Sequence, residues 1–161
     1  MVHIQVQAPY QATVNQVLEP PVVAIICANS VPKAPNTAFA FVFASLHLFD
    51  SSGYLCDGEL EGPLCAAAVL AGDSRASSSS SNAFSDPSAS FTWSDIRIVT
   101  PGIYRLRIDV YSLDPVSLVC ATVVEQITTH EIEIYIEREP TESPCPTPSL
   151  LPGDSPLTML S

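Results

Sequence analysis

Apolar and polar residues alternate with a period of two through much of this chain. In Ile103–Tyr111, Tyr104, Leu106, Ile108 and Val110 interleave with Arg105, Arg107 and Asp109. In Glu131–Glu137 three isoleucines fall on one side and the glutamates on the other. Such alternation predicts strands with one face on a core and one in water. Ile96 and Ile98 flank Arg97 in the same way, and Pro101-Gly102 follows shortly after. Proline presets φ and glycine supplies positive φ, so the spacing predicts a hairpin closed by a type II turn.

The full set of predicted strands is Val2–Gln7, Val22–Ala28, Phe39–Phe49, Leu64–Leu70, Ser90–Val99, Ile103–Tyr111, Leu118–Gln126 and Glu131–Glu137. No window carries a capped stripe of period 3.6. Eight short strands with turn residues between them predict an all-β, antiparallel sandwich or barrel. Phe39–Phe49 differs from the rest, being apolar at both parities. Such a strand is either covered on both sides or offers its aromatics to a partner. Core packing is the simpler reading. Phe39, Phe41 and Phe43 are the candidate interface residues if that face is left open.

Ser74–Ser90, with serine unbroken from Ser77 to Ser81, predicts a flexible loop. Glu139–Ser161 holds six prolines without periodicity and reads as a tail. The organisation expected is therefore one domain over residues 1–138, interrupted by the loop at 74–90, with a tail at 139–161. An apolar content of 47% argues for a packed core, and 15 prolines argue against a helical bundle. No apolar run is long enough to span a bilayer as a helix, and the N-terminus lacks a basic-then-apolar leader, so no membrane partner or secretory signal is expected. The five cysteines are never spaced as C-x-x-C. Cys27, Cys65 and Cys120 lie in apolar runs, where a free thiol behaves as a small hydrophobe.

Charge constrains partners most. Six basic residues against 17 acidic ones leave a net charge of −11. A phosphate backbone is repelled by the average field of such a domain. Arg97, Arg105 and Arg107 form the one basic cluster and the weak candidates for phosphate contact, with Asp95 and Asp109 near enough in sequence to neutralise them. Asp57, Glu59 and Glu61 alternate but lack EF-hand spacing, so they read as a solvated acidic turn. His3, His47 and His130 fall at separate predicted strand ends without a nucleophile elbow. No catalytic residue, metal site, cofactor or small-molecule substrate is therefore assigned.

Several spaced motifs resemble the velvet domain of fungal regulators. An L-x-G-x-L-x-A-x-A-x-x-L pattern begins with Leu60, Gly62 and Leu64 and continues through Ala66 and Ala68. F-x-x-x-D-[IL]-x-[IV] follows with Phe91, Asp95, Ile96 and Ile98, and then Gly102 before Tyr104-Arg105-Leu106. Gln7-Ala8-Pro9 with Pro20-Pro21-Val22-Val23 is similar to the family's early Q-Q-P and P-P-[IV]-V elements. Leu151-Pro152-Gly153 through Ser155-Pro156-Leu157-Thr158 is similar to its late F-P-G…S-T-P-L-T. The resemblance implies an immunoglobulin-like sandwich of the Rel type, without enzymatic activity. It also implies nuclear action (cytoplasm being the alternative) on transcription, development, sporulation and secondary metabolism, as a homo- or heterodimer with other velvet proteins.

One departure changes what the resemblance carries over. The family's DNA contacts are attributed to a basic loop resembling C-G-x-G-x-K-D-R-R-P-I. The corresponding interval, Tyr10–Glu19, is shorter and holds no Lys or Arg. No DNA-binding residue is carried over, and DNA is expected to be bound weakly or through a partner. The alternative function is a β-sandwich interaction module without a link to transcription.

Overall fold

The computed structural model describes residues 1–27, 42–70, 88–113 and 120–137. Its strands are β1 (Val2–Val6), β2 (Gln11–Thr13), β3 (Val22–Cys27), β4 (Val42–Asp50), β5 (Leu60–Glu61), β6 (Cys65–Ala67), β7 (Val69–Leu70), β8 (Ser88–Trp93), β9 (Arg97–Ile98), β10 (Gly102–Leu113), β11 (Ala121–Thr128) and β12 (Ile132–Tyr135). A single 3-10 turn spans Asp57–Glu59, and no α-helix occurs among the described residues. The fold is nearly all β and mainly antiparallel.

One sheet runs β1-β3-β8-β7, the other β2-β12-β10-β4-β6, and β5 with β9 makes a small third ribbon. β10 is the spine. Along one edge it pairs with β4 from Tyr104 to Ser112. On its other edge β12 takes Gly102–Tyr104 and β11 takes Arg107–Leu113. Thr129 joins those two strands: its N–H donates to the Leu106 carbonyl at 2.8 Å, and its Oγ1 accepts from the Leu106 N–H at 3.0 Å. Thr129 thereby fills the ladder positions between β11 and β12, so the backbone polar groups of Leu106 are satisfied.

Alternation places the core. Ala24 and Ile26 of β3, Phe91 and Trp93 of β8, Leu46 and Leu48 of β4, and Leu106 and Ile108 of β10 are all almost fully buried in one cluster fed by both large sheets. At roughly 1.5–3 kcal/mol for each large apolar side chain removed from water, this cluster is the main favourable term in folding.

Several expectations are corrected. The predicted hairpin does not form. Arg97–Ile98 pairs with Leu60–Glu61, while β10 pairs with β4. Gly102 is the first residue of β10 and has no positive φ; a Cβ there would lie 3.0 Å from the Tyr104 ring. Ring contact, rather than turn geometry, explains that glycine. The chain instead reverses its backbone at Asp95 (φ 59) and Gly62 (φ 120). These two break the predicted strand 90–99 and separate β5 from β6.

The segment 64–70 is interrupted at Ala68, so β6 joins β4 in one sheet and β7 joins β8 in the other. Ser88–Ser90, expected in the loop, begin β8 because they pair with β3 and, at Ala89 and Ser90, with β7. Residues 74–87 of that loop, the tail with Pro156 and Leu157, and Phe39 and Phe41 lie outside the described residues. Two short strands were not expected, β2 and β5, each too brief to show a period. Ile136 falls beyond the end of β12 and is exposed rather than facing inward with Ile132 and Ile134. Cys65 and Cys120 are also exposed, contrary to their apolar surroundings in sequence.

Candidate functional site

Side chains of β4 and β10 that point away from the core meet in cross-strand pairs. Phe43 faces Tyr111, Ser45 faces Asp109, His47 faces Arg107 and Phe49 faces Arg105. Each end of this face is aromatic. The Phe43 and Tyr111 rings stack with centroids 5.0 Å apart, and the Arg107 guanidinium lies 4.4 Å from the Phe49 ring centroid. Phe43 is half-buried by this stacking and does not stand open.

Between the aromatics lies a continuous polar network. Arg107 Nε and Nη2 donate to the two oxygens of Asp109 at 2.8 and 2.9 Å, and Gln126 Nε2 donates to Asp109 Oδ1 at 3.0 Å. Asp109 is only 3% exposed, so this bidentate pair with its third donor satisfies an otherwise costly buried carboxylate. His47 Nδ1 lies 2.8 Å from Asp57 Oδ2, and His47 Nε2 lies 2.8 Å from Ser45 Oγ. A carboxylate only accepts, which puts a ring hydrogen on Nδ1; the tautomer with its hydrogen there alone accepts at Nε2 from the Ser45 hydroxyl. Asp57 Oδ1 in turn accepts from the Leu48 N–H at 2.8 Å.

Ser45, His47 and Asp57 thus share the connectivity of a serine–histidine–aspartate relay. Their surroundings differ from those of a nucleophile. Ser45 sits within the ladder between Asp109 and Cys65, where backbone donors serve the sheet. Asp109 Oδ2 also lies 3.8 Å from His47 Nε2, an anion where acyl transfer would develop negative charge. The arrangement ties three elements together and holds a proton between two side chains.

Three sequence expectations are overturned here. His47 lies in the middle of β4 rather than at a strand end, because that strand continues to Asp50. The acids at 57–59 do not form a solvated turn: the 3-10 turn directs Asp57 to His47 and Glu59 to Tyr104. The basic cluster also divides. Arg97 lies on β9, cross-strand from Glu61, whereas Arg105 and Arg107 lie on β10. Arg105 pairs with Glu131 at 2.7 Å and Arg107 with Asp109, so Asp95 neutralises neither of these two.

Residues of the spaced L-x-G-x-L and F-x-x-x-D patterns lie near a second place. A Cβ on Gly62 would lie 2.6 Å from the Asp95 carbonyl oxygen. Leu60 is cross-strand from Ile98, and the Leu64 carbonyl accepts from Trp93 Nε1 at 3.3 Å. Tyr104 reaches the same region, its hydroxyl donating to Glu59 Oε2 at 2.6 Å. Burial first, and then this hydrogen bond and the Glu59 charge, push the Tyr104 phenol well above its ordinary value of 10.0. Partial desolvation, followed by Glu59 and Asp50, also pushes the Cys56 thiol up.

The Tyr104 shift has a definite sign. Below pH 10 the phenol is neutral in both folded and unfolded chains. Above it the unfolded chain ionises first, so stability falls as pH rises. Stability measured by urea between pH 8 and 11 should decline more steeply for the wild type than for Tyr104→Phe. Equal slopes would show that the phenol does not carry this dependence.

Ser45-x-His47 and Arg107-x-Asp109 were findable from sequence, since i, i+2 residues on a strand share a face. Asp57 and Gln126 were not, being brought in by tertiary pairing. No family model and no curated protein matches this chain. No helix is long and apolar enough to cross a membrane among the described residues.

Proposed function

We propose that this chain is a velvet-like regulator with an immunoglobulin-like β-sandwich, acting in the nucleus through dimerisation with other velvet proteins. The observation that carries this reading is the convergence of motif residues. Leu60, Gly62, Asp95 and Tyr104 are scattered over 45 positions of sequence, yet all serve one packed joint between β5, β9 and the start of β10. Spaced residues that gather at one joint support kinship of fold better than a single motif does. Two large sheets sharing one core support the sandwich architecture.

Action through proteins rather than DNA fits the charges. Tyr10–Glu19 holds no cation, and part of it forms β2 against β12. Arg105 and Arg107 are already engaged by carboxylates. Enzymatic action is not proposed, because the Ser45–His47–Asp57 relay lies beside Asp109 within the ladder.

The test is a tagged chain recovered from its source cells together with a gel-shift assay. A velvet-domain partner should co-purify, and the purified chain alone should show no specific duplex binding at physiological salt. Nanomolar binding that survives competitor DNA would overturn the protein-partner reading. Recovery of partners that are all unrelated to velvet proteins would favour an interaction module outside transcription.

A further inference from the structure

The outward side of β12 and its neighbours is a second surface. Glu133 lies between Gln11 of β2 and Ile103 of β10, and Tyr135 lies beside Thr13. Apolar groups stand open here: Ile103 is 48%, Tyr135 45%, Ile136 65% and Tyr10 74% exposed. Tyr10 is held in place by stacking on His130 at 3.9 Å, and the pair borders an open groove of about 580 Å³ reaching Arg105 and Thr128. Ile103 and Tyr135 stand on the sheet, with Tyr10 just before β2 and Ile136 just after β12; exposed apolar side chains gathered in this way mark an association site. The acids around them are unequal. Glu131 is matched by Arg105, whereas among the described residues Glu133 is met only by the neutral Gln11 amide, and Glu137 is exposed.

We propose that this face docks a basic segment of a partner protein, with lysines or arginines against Glu133 and Glu137 and apolar side chains against Ile103, Tyr135 and Ile136. Charge selects this occupant. A second copy would bring the same glutamates, on a chain of net charge −11, against themselves. Residues 138–161 of the chain itself carry three acids and one arginine, again the wrong sign. Nucleic acid is repelled by the same field. The inference rests on the reading that the chain works through protein partners, and it names the surface and the chemistry of the partner.

The experiment has two arms, each using the full chain and the variant Glu133→Lys/Glu137→Lys. Both positions are exposed, so the variant should keep its circular dichroism and Tm. In the first arm a fluorescein-labelled peptide alternating lysine and leucine is titrated at 50 and 200 mM salt, beside the same peptide with glutamate for lysine. The lysine peptide should bind the wild type, weaken with salt, and bind the variant about tenfold less tightly. Resonances of Ile103 and Tyr135 should shift on binding. In the second arm the protein recovered from source cells is coupled by carbodiimide, which joins lysine amines to carboxylates in contact. Cross-links from partner lysines to Glu133 or Glu137 are expected. Equal peptide binding by wild type and variant, no peptide binding at all, or partner cross-links confined to other carboxylates would overturn the proposal. So would cross-links joining two copies of this chain through the face. A velvet partner recovered undiminished with the variant would sink this inference alone. Cross-links at Glu133 to a partner unrelated to velvet proteins would keep it and sink the family reading.

Discussion

Gly62→Ala should cost more stability than alanine at any other described glycine. At φ 120 the backbone of residue 62 lies where L-residues rarely go, and the added Cβ would sit 2.6 Å from the Asp95 carbonyl oxygen and 3.1 Å from Ile96 Cδ1. Neither neighbour yields easily. Asp95 is itself at φ 59, and Ile96 is 1% exposed with its carbonyl accepting from the Leu18 N–H at 2.8 Å. Backbone strain of this kind alone costs about 1–3 kcal/mol, and the clash adds to it. A loss of at least about 2 kcal/mol lowers Tm by roughly 5–10 °C in a domain of this size. Two other glycines make an internal scale. Gly53→Ala meets nothing within 4 Å but keeps φ 85, so it isolates the strain. Gly58→Ala has open space and no positive φ, and should be neutral or slightly stabilising. Thermal melts ordered otherwise, with Gly62→Ala close to Gly58→Ala, would mean that the β5–β9 joint is looser than its geometry.

That joint also marks where the sequence was legible and where it was not. The long strands were readable because burial on one face imposes a period of two, and β10 and β12 carry it plainly in Tyr104–Val110 and Ile132–Ile134. Pairing was not readable. Arg97–Ile98 and Gly102–Leu113 are neighbours in sequence, with Pro101 between them and Gly102 opening the second, and a hairpin is the local answer. The β5–β9 pairing and the β4–β10 ladder override it, and both depend on contacts made across dozens of residues. Sheet switching at Ala68 is equally silent, because a small residue in an apolar run looks like more strand.

The site followed the same division. Arg105 and Arg107 were visible as a cluster, and their neutralisation was expected from the surplus of acids. Which acids do it was only half visible. Asp109 is two residues from Arg107 on the same strand face, but Glu131 comes to Arg105 through the β11–β12 turn at Thr129. In the sequence His47 reads as peripheral because the predicted strand ends at Phe49. The additional residue and the 3-10 turn at Asp57 convert it into the centre of a network.

Breaking the Arg107–Asp109 pair should be costly from either side but not symmetrically, and removing both partners should be nearly harmless. Asp109 has a side chain 4% exposed, whereas that of Arg107 is 33% exposed. Water therefore relieves an orphaned guanidinium better than an orphaned carboxylate. Arg107→Met leaves Asp109 with Gln126 as its remaining close donor and should cost about 3 kcal/mol, the lower end for an uncompensated buried charge. Asp109→Leu leaves Arg107 half-solvated on the Phe49 ring and should cost about 2 kcal/mol. The double variant replaces an ion pair by two apolar side chains of comparable length, flanked by Phe49, and should fall within about 1 kcal/mol of the wild type, since desolvation nearly cancels the attraction of such a pair. Urea titration of the four proteins gives the coupling directly. Losses that simply add would show that the two groups act separately, and the polar centre of this sheet face would then be a set of independent surface contacts instead of one network.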